Sequence, residues 1–329
     1  NGISGRNAGQ PYGVEHRPEN SQLLVSAYAD VSPNELFELY SDNSDDSGPT
    51  YGYYKLSEQE CYHWQDTKEE YQDTPNSLWG GYYSAIAAAN MALNAIEEKG
   101  NPASLDPQRG EALVCRAYCH FMLANIFCNA YDTHASQSLG VPYMEEVETT
   151  VSPRYERGTL EEVYRKVERD LLEGIDLISD DSYSVPKYHF TRKAAYAFAA
   201  RFYLYYMKPD FSNCDRVIDF ATRVLGTNPA DLLRNWEALG NLSVNGNVQA
   251  DAYIASSNEA NLLISSTVSN WGAIGSDYLI GPRYFHNQTL ATSETCLSSG
   301  LWGSSDYFYL ETFLHQRVCC QYPAQERAL

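Results

Sequence analysis

The chain has 329 residues and carries 23 Lys and Arg against 43 Asp and Glu, a net charge of −20. That balance repels phosphate backbones and anionic lipid surfaces, so nucleic acid and a charged membrane face are excluded as partners. Hydrophobic residues make up 43 %, enough for a core, and no apolar run approaches the ~20 residues that span a bilayer.

A neutral carbohydrate or another protein fits such a chain better. The 27 Tyr and 5 Trp point the same way, because rigid amphipathic rings both pack and hydrogen-bond at a wet surface. Core packing is the ordinary explanation of any single Tyr. The eight Cys form no CxxC pair, so they lack zinc spacing and read as small buried apolar residues. Residues 1–20 show no basic segment followed by an apolar one, so no signal peptide is visible.

Helix signals dominate the first two thirds. Ser32-Pro33-Asn34-Glu35 places a cap, a first-turn Pro and an acidic N3 residue before Leu36 and Phe37. Ser57 with Glu60 reads as a second capping box. Asn76 is the expected cap of a long helix whose apolar positions, from Trp79 and Tyr82 to Leu93 and Ile96, recur at three and four; Gly100 stops it. Asp106-Pro107 starts the next helix, and the short loop between them predicts an antiparallel hairpin.

A linker spans about 129–158. Thr159 and Glu162 then form a capping box ahead of Leu160, Val163, Val167, Leu171 and Ile175. Thr191 caps a helix running to Met207, and another covers about 213–225. Small residues at contact positions (Ala87, Ala88, Ala194, Ala199, Ala200) predict stacked tetratricopeptide-like hairpins, without a strict repeat. Beyond residue 228 the texture turns to Asn, Ser and Gly, with short strands expected at Tyr253-Ile254 and Leu262-Leu263-Ile264. The reading is a mostly α chain: a helical scaffold over 1–228 and a loop-rich ligand-binding part over 229–329.

Several stretches, taken together and in order, resemble the SusD/RagB family. They are Leu78-Trp79-Gly80-Gly81-Tyr82-Tyr83 with Ala89-Asn90, Gly110-Glu111-Ala112 with Arg116-Ala117, Gly140-Val141-Pro142-Tyr143, Thr159 through Tyr164, and Lys193-Ala194-Ala195-Tyr196. They fall within about residues 20–226. The resemblance implies a non-catalytic, lipid-anchored protein on the outer face of the outer membrane of Bacteroidetes. Such a protein binds glycan, or sometimes peptide, and delivers it to a SusC-like TonB-dependent transporter. It also implies an acylated Cys upstream of this numbering, since the first Cys is Cys61, and a C-terminal part shortened relative to the family.

Two groups of residues are candidates for contacting an oligosaccharide. The first is Asp42 and Asp45, for sugar hydroxyls, with the rings of Tyr51, Tyr53, Tyr54 and Trp64. Trp64 stands open between core and surface, while Tyr62 reads as core. The second is Trp271, Tyr278, Tyr284 and Trp302, with Asn270 and Arg283 as hydrogen-bonding partners. No cofactor is expected. The oxygen-rich run Asp42 to Gly48 is similar to a calcium loop, but the EF-hand pattern fails because Tyr53 stands where its Glu would be; a solvated turn is the plainer reading. Cys115, Cys119 and His120 share one helix, but the His points away from the Cys pair. No GxSxG, HExxH or P-loop occurs. The alternatives are a helical-repeat adaptor that binds only protein or peptide and, third, a glycoside hydrolase, which needs two suitably spaced carboxyls.

Overall fold

The structure, a computed structural model, describes residues 34–41, 44–48, 55–69, 73–150, 153–242, 248–264 and 283–285. In chain order the described elements are α1 (Asn34–Leu39), β1 (Asp45–Asp46), α2 (Leu56–Tyr62), α3 (Pro75–Glu98), α4 (Asp106–Phe127), α5 (Leu160–Leu177), α6 (Arg192–Tyr205), α7 (Cys214–Leu225), α8 (Trp236–Gly240), α9 (Val248–Ile254) and β2 (Tyr284–Phe285). The fold is mostly α, as the helical periodicity predicts.

Helix α4 is central. It packs against α3 on one side and α5 on the other, and α6 pairs with α7. Its buried residues run almost all round, from Gly110 and Ala112 to Leu123 and Ala124, so it is a core helix rather than an amphipathic one. The α4–α5 seam is set by glycine rather than by the expected alanines alone. A Cβ on Gly110 would lie 2.7 Å from the Gly174 carbonyl oxygen, and one on Gly174 would lie 2.7 Å from that of Gly110. The two backbones therefore touch, with no room for a methyl group.

The caps divide into those set locally and those set otherwise. Thr159 Oγ1 accepts from the Glu162 N–H at 3.2 Å, and Glu162 Oε2 accepts from the Thr159 N–H at 2.9 Å. Thr191 caps α6 through the Ala194 N–H. Two others, Ser57 and Asn76, need correction, and the Ser32 cap lies outside the described residues. α2 begins at Leu56 with Lys55 at the cap, so Ser57 lies inside the helix and the N3 residue is Glu58. α3 begins at Pro75 with Thr74 at the cap, which makes Asn76 a first-turn residue.

A buried polar network holds the 140–148 segment on the helices. Arg116 donates to Asp170 Oδ2 at 2.6 Å and to Asn90 Oδ1 at 3.0 Å. Tyr143 donates to the same Asp170 oxygen at 2.6 Å, while Arg169 holds its other oxygen. Burial opposes the Arg116 charge, but Asp170 outweighs it and keeps the guanidinium firmly protonated. His120 is fully buried; its Nδ1 meets the Arg116 carbonyl at 2.9 Å and its Nε2 accepts from the Met144 N–H at 3.0 Å. Burial drives its pKa down to about 3, so the ring is neutral and structural. Cys61, Cys115 and Cys119 are buried as small apolar groups.

The C-terminal part meets the helices through polar and apolar contacts: the Ile264 N–H donates to the Lys187 carbonyl at 2.7 Å, Lys187 Nζ donates to the Asn258 carbonyl at 2.8 Å, and Leu262 and Leu263 pack against the core. Within that part, Arg234 lies 3.9 Å over the Tyr253 ring. Tyr253-Ile254 ends helix α9 rather than forming a strand, and the stretch Leu262–Ile264 is irregular. The single described ladder is β1 with β2, pairing Asp45 with Phe285 and Asp46 with Tyr284. It ties the first part of the chain to the last.

Candidate functional site

The C-terminal end of α2 and the β1–β2 ladder carry the described members of the candidate site. Trp64 follows α2 at φ +56. Its N–H donates to the Cys61 carbonyl at 2.9 Å, and the Gln65 N–H donates to that of Glu60 at 2.8 Å. These are the two bonds of a Schellman motif, with Trp64 at the left-handed position that glycine normally takes. Helix α3 closes with the same pair of bonds and has Gly100 there, at φ +80.

A tryptophan in this conformation costs about 1 kcal/mol or more. The ring recovers little of that by burial, for Trp64 is 74 % exposed. Tyr40 braces it from the side, centroids 5.0 Å apart in an edge-on arrangement. The chain beyond the turn is stapled back onto α2: Glu69 accepts from the Ser57 N–H and Glu60 from the Lys68 N–H, both at 2.9 Å. An indole is thus aimed at solvent from a fixed base.

The polar groups lie at the ladder. Arg283 Nε and Nη2 donate to the two oxygens of Asp46, each at 2.7 Å. Asp46 also accepts from the Gly48 N–H at 2.9 Å, where Gly48 turns the chain at φ +93. The guanidinium holds the Asp46 carboxyl below the usual range. Asp45 accepts from the Asp46 N–H. Burial, with the Asp45 carboxylate beside it, raises the Tyr62 hydroxyl pKa.

One expectation fails here for a physical reason. Tyr284 is fully buried, tilted against Tyr62 with centroids 4.7 Å apart and edge-on to His63, so its ring is a core prop and not a sugar platform. Arg283 is engaged by Asp46 in a two-pronged pair, so its guanidinium orders the ladder. Asp45, Arg283 and Trp64 remain at the candidate site, the carboxylate and guanidinium half-buried and the indole exposed. Asp42, Tyr51, Tyr53, Tyr54, Asn270, Trp271, Tyr278 and Trp302 lie outside the described residues. Reading by residue type missed Tyr40, which sets the Trp64 ring, and Asp46, which anchors Arg283. Among the described residues no group of three or more His, Cys, Asp or Glu is placed to hold a metal ion.

The comparisons with known proteins now bear on this arrangement. The sequence profile of a SusD-like family, described as starch-binding and associating with the outer membrane, matches residues 17–204. The chain belongs to this SusD-like family. A SusD superfamily structure from Bacteroides vulgatus is similar over 86 % of this chain and 62 % of its own, at 19 % identity and a TM-score of 0.58. One from Bacteroides thetaiotaomicron matches 67 % of this chain and 48 % of its own, at 19 % identity and 0.51. A crystal structure with xylogluco-oligosaccharide matches 81 % and 53 %, at 18 % identity and 0.53. These likenesses show the SusD-like fold. The chain spans about half the length of the Bacteroides thetaiotaomicron structure and of the one with xylogluco-oligosaccharide. No curated protein matches it. Among the described residues no helix is long and apolar enough to cross a membrane.

Proposed function

We propose that this SusD-like chain captures a neutral oligosaccharide at the outer face of the outer membrane and passes it, uncut, to a SusC-like TonB-dependent transporter. Membrane attachment in this reading is through a lipid anchor. The observation that carries the proposal is Trp64: a large ring held in a strained backbone conformation, braced by Tyr40 and left exposed. Such strain is retained where the presented side chain has work to do. A ring so placed stacks on the apolar face of a pyranose, and Asp45 offers an acceptor for hydroxyl groups on the neighbouring ladder.

The net charge of −20 supports an uncharged ligand over an anionic one. The similar structure with xylogluco-oligosaccharide supports the ligand class. Catalysis forms no part of the proposal.

Calorimetric titration of the purified chain with a panel of neutral oligosaccharides tests this. One or more should bind, and Trp64→Ala should weaken that binding about ten-fold, or about 1.4 kcal/mol. Binding of protein or peptide alone, with no response to any glycan, would favour the adaptor reading. Release of shortened sugars would favour a hydrolase.

A further inference from the structure

We propose that the chain has a second binding site, for a small organic cation with an apolar body, in the groove between α3 and the 142–148 segment with Tyr155. The groove is a cavity of about 290 Å³. That is near the lower end of the ~300–1,000 Å³ typical of ligand pockets. Its walls are apolar and aromatic: Trp79, Tyr83 and Met91 from α3 face Pro142, Met144 and Tyr155. None of the residues placed at the candidate glycan site lines it, so the inference is independent of that reading.

The cavity is built rather than incidental. The Tyr83 hydroxyl donates to the Pro142 carbonyl at 2.8 Å. Asn90 is buried and donates to the Met144 carbonyl at 3.1 Å and the Glu146 carbonyl at 3.3 Å. Those bonds pin the far wall to the helix. The Trp79 ring is propped from behind by Phe127, centroids 5.1 Å apart, and from the side by Tyr83 at 5.0 Å. The aromatic wall is therefore fixed before anything binds.

Charge decides the ligand class. The lining includes Glu146 and Glu148, both exposed, and no Lys, Arg or His. Tyr155 donates to Glu148 Oε1 at 2.6 Å, which ties one carboxylate to the aromatic wall. An anion would meet like charge there, and a neutral apolar molecule would leave the carboxylates unused. A cation on a short apolar stem satisfies both, because the faces of Trp and Tyr attract cations and the carboxylates complete the neutralisation. An arylalkyl ammonium ion has the right size and polarity.

Three isosteric probes test this in 150 mM salt, namely phenethylammonium, phenethyl alcohol and phenylacetate, titrated by calorimetry and by ligand-observed NMR. Phenethylammonium should bind at least ten-fold tighter than the alcohol, with phenylacetate weakest. The double variant Glu146→Gln, Glu148→Gln changes two exposed side chains. It should cut phenethylammonium affinity at least five-fold and leave the alcohol unchanged. A charge-matched control, Asp176→Asn with Asp181→Asn, both exposed and outside the lining, should change nothing. Trp64→Ala should also leave phenethylammonium binding intact while it weakens glycan, so the two readings fail separately. Equal affinity for all three probes, no binding of the cation, or equal losses in both charge variants would overturn the proposal.

Discussion

The Arg283 guanidinium grips both carboxylate oxygens of Asp46 at 2.7 Å, across 237 residues of chain. The pair closes the β1–β2 ladder, and the Ser47 N–H adds a bond to the Arg283 carbonyl at 2.9 Å. Tyr284, the next residue, is buried against Tyr62 as a consequence. Arg283→Met should therefore speed hydrogen exchange at the Ser47 amide and loosen 283–285, while exchange within α4 and α5 stays unchanged. Unaltered exchange at Ser47 would show that the ladder does not depend on the pair.

Trp64 separates stability from binding. Trp64→Gly relieves the left-handed strain at the end of α2 but loses the Tyr40 contact, terms of about 1 kcal/mol each with opposite sign. Folding stability should change by less than about 1 kcal/mol, whereas oligosaccharide affinity should fall about ten-fold. Urea unfolding and calorimetry on the same preparation read both. A large loss of stability would mean the ring is structural.

The glycine seam predicts a cost for a single methyl group. Gly174→Ala places a carbon 2.7 Å from both the Gly110 oxygen and a Val114 methyl. Separating two packed backbones should cost about 1–3 kcal/mol or more. Gly80→Ala, in open space on α3, should be neutral or slightly stabilising. Comparable midpoints for the two variants in urea would contradict the seam.

Removing one charge from the buried network should be expensive. Asp170→Asn leaves Arg116 buried beside a neutral amide, and breaking a buried pair costs about 3–5 kcal/mol. Replacing exposed Asp219, whose partner Arg223 is also exposed, should cost under about 1 kcal/mol. Equilibrium unfolding of both variants checks the contrast.

Glu58 gives stability a pH dependence. It is 1 % exposed, and burial pushes its pKa up to about 7 from an ordinary value of 4.5. Between those values the folded chain holds more protons than the unfolded chain. Its contribution is therefore fully present below about pH 4.5 and lost as pH rises through about 7. Glu58→Gln should remove that loss and stabilise the protein at pH 8 by about 1–3 kcal/mol relative to its effect at pH 4.5. A pH-independent difference between variant and parent would exclude Glu58 as the source.

What could be read from the chain itself was what neighbouring residues decide. The Thr159–Glu162 box, the Thr191 cap and the Asp106-Pro107 start are local devices, so their residue types alone place them. The start of α2 was legible only to within two residues, because Ser57 and Glu60 match a capping box while the observed cap, Lys55, makes no side-chain cap bond. Tyr253-Ile254 has strand-forming residues, but it closes a short helix held by Arg234. The site was harder still. Whether Tyr284 is a platform or a prop depends on Tyr62, more than 200 residues away, which no local pattern encodes. Trp64 carried one missed cue: a helix ends there, with no Gly or Asn to take the left-handed turn.

The backbone contact between Gly110 and Gly174 has a mechanical consequence. Two helices that already touch cannot slide or tilt past each other without colliding, so α4 and α5 travel as one rigid block. That block is the handle by which the segments connecting it to the rest of the chain are held.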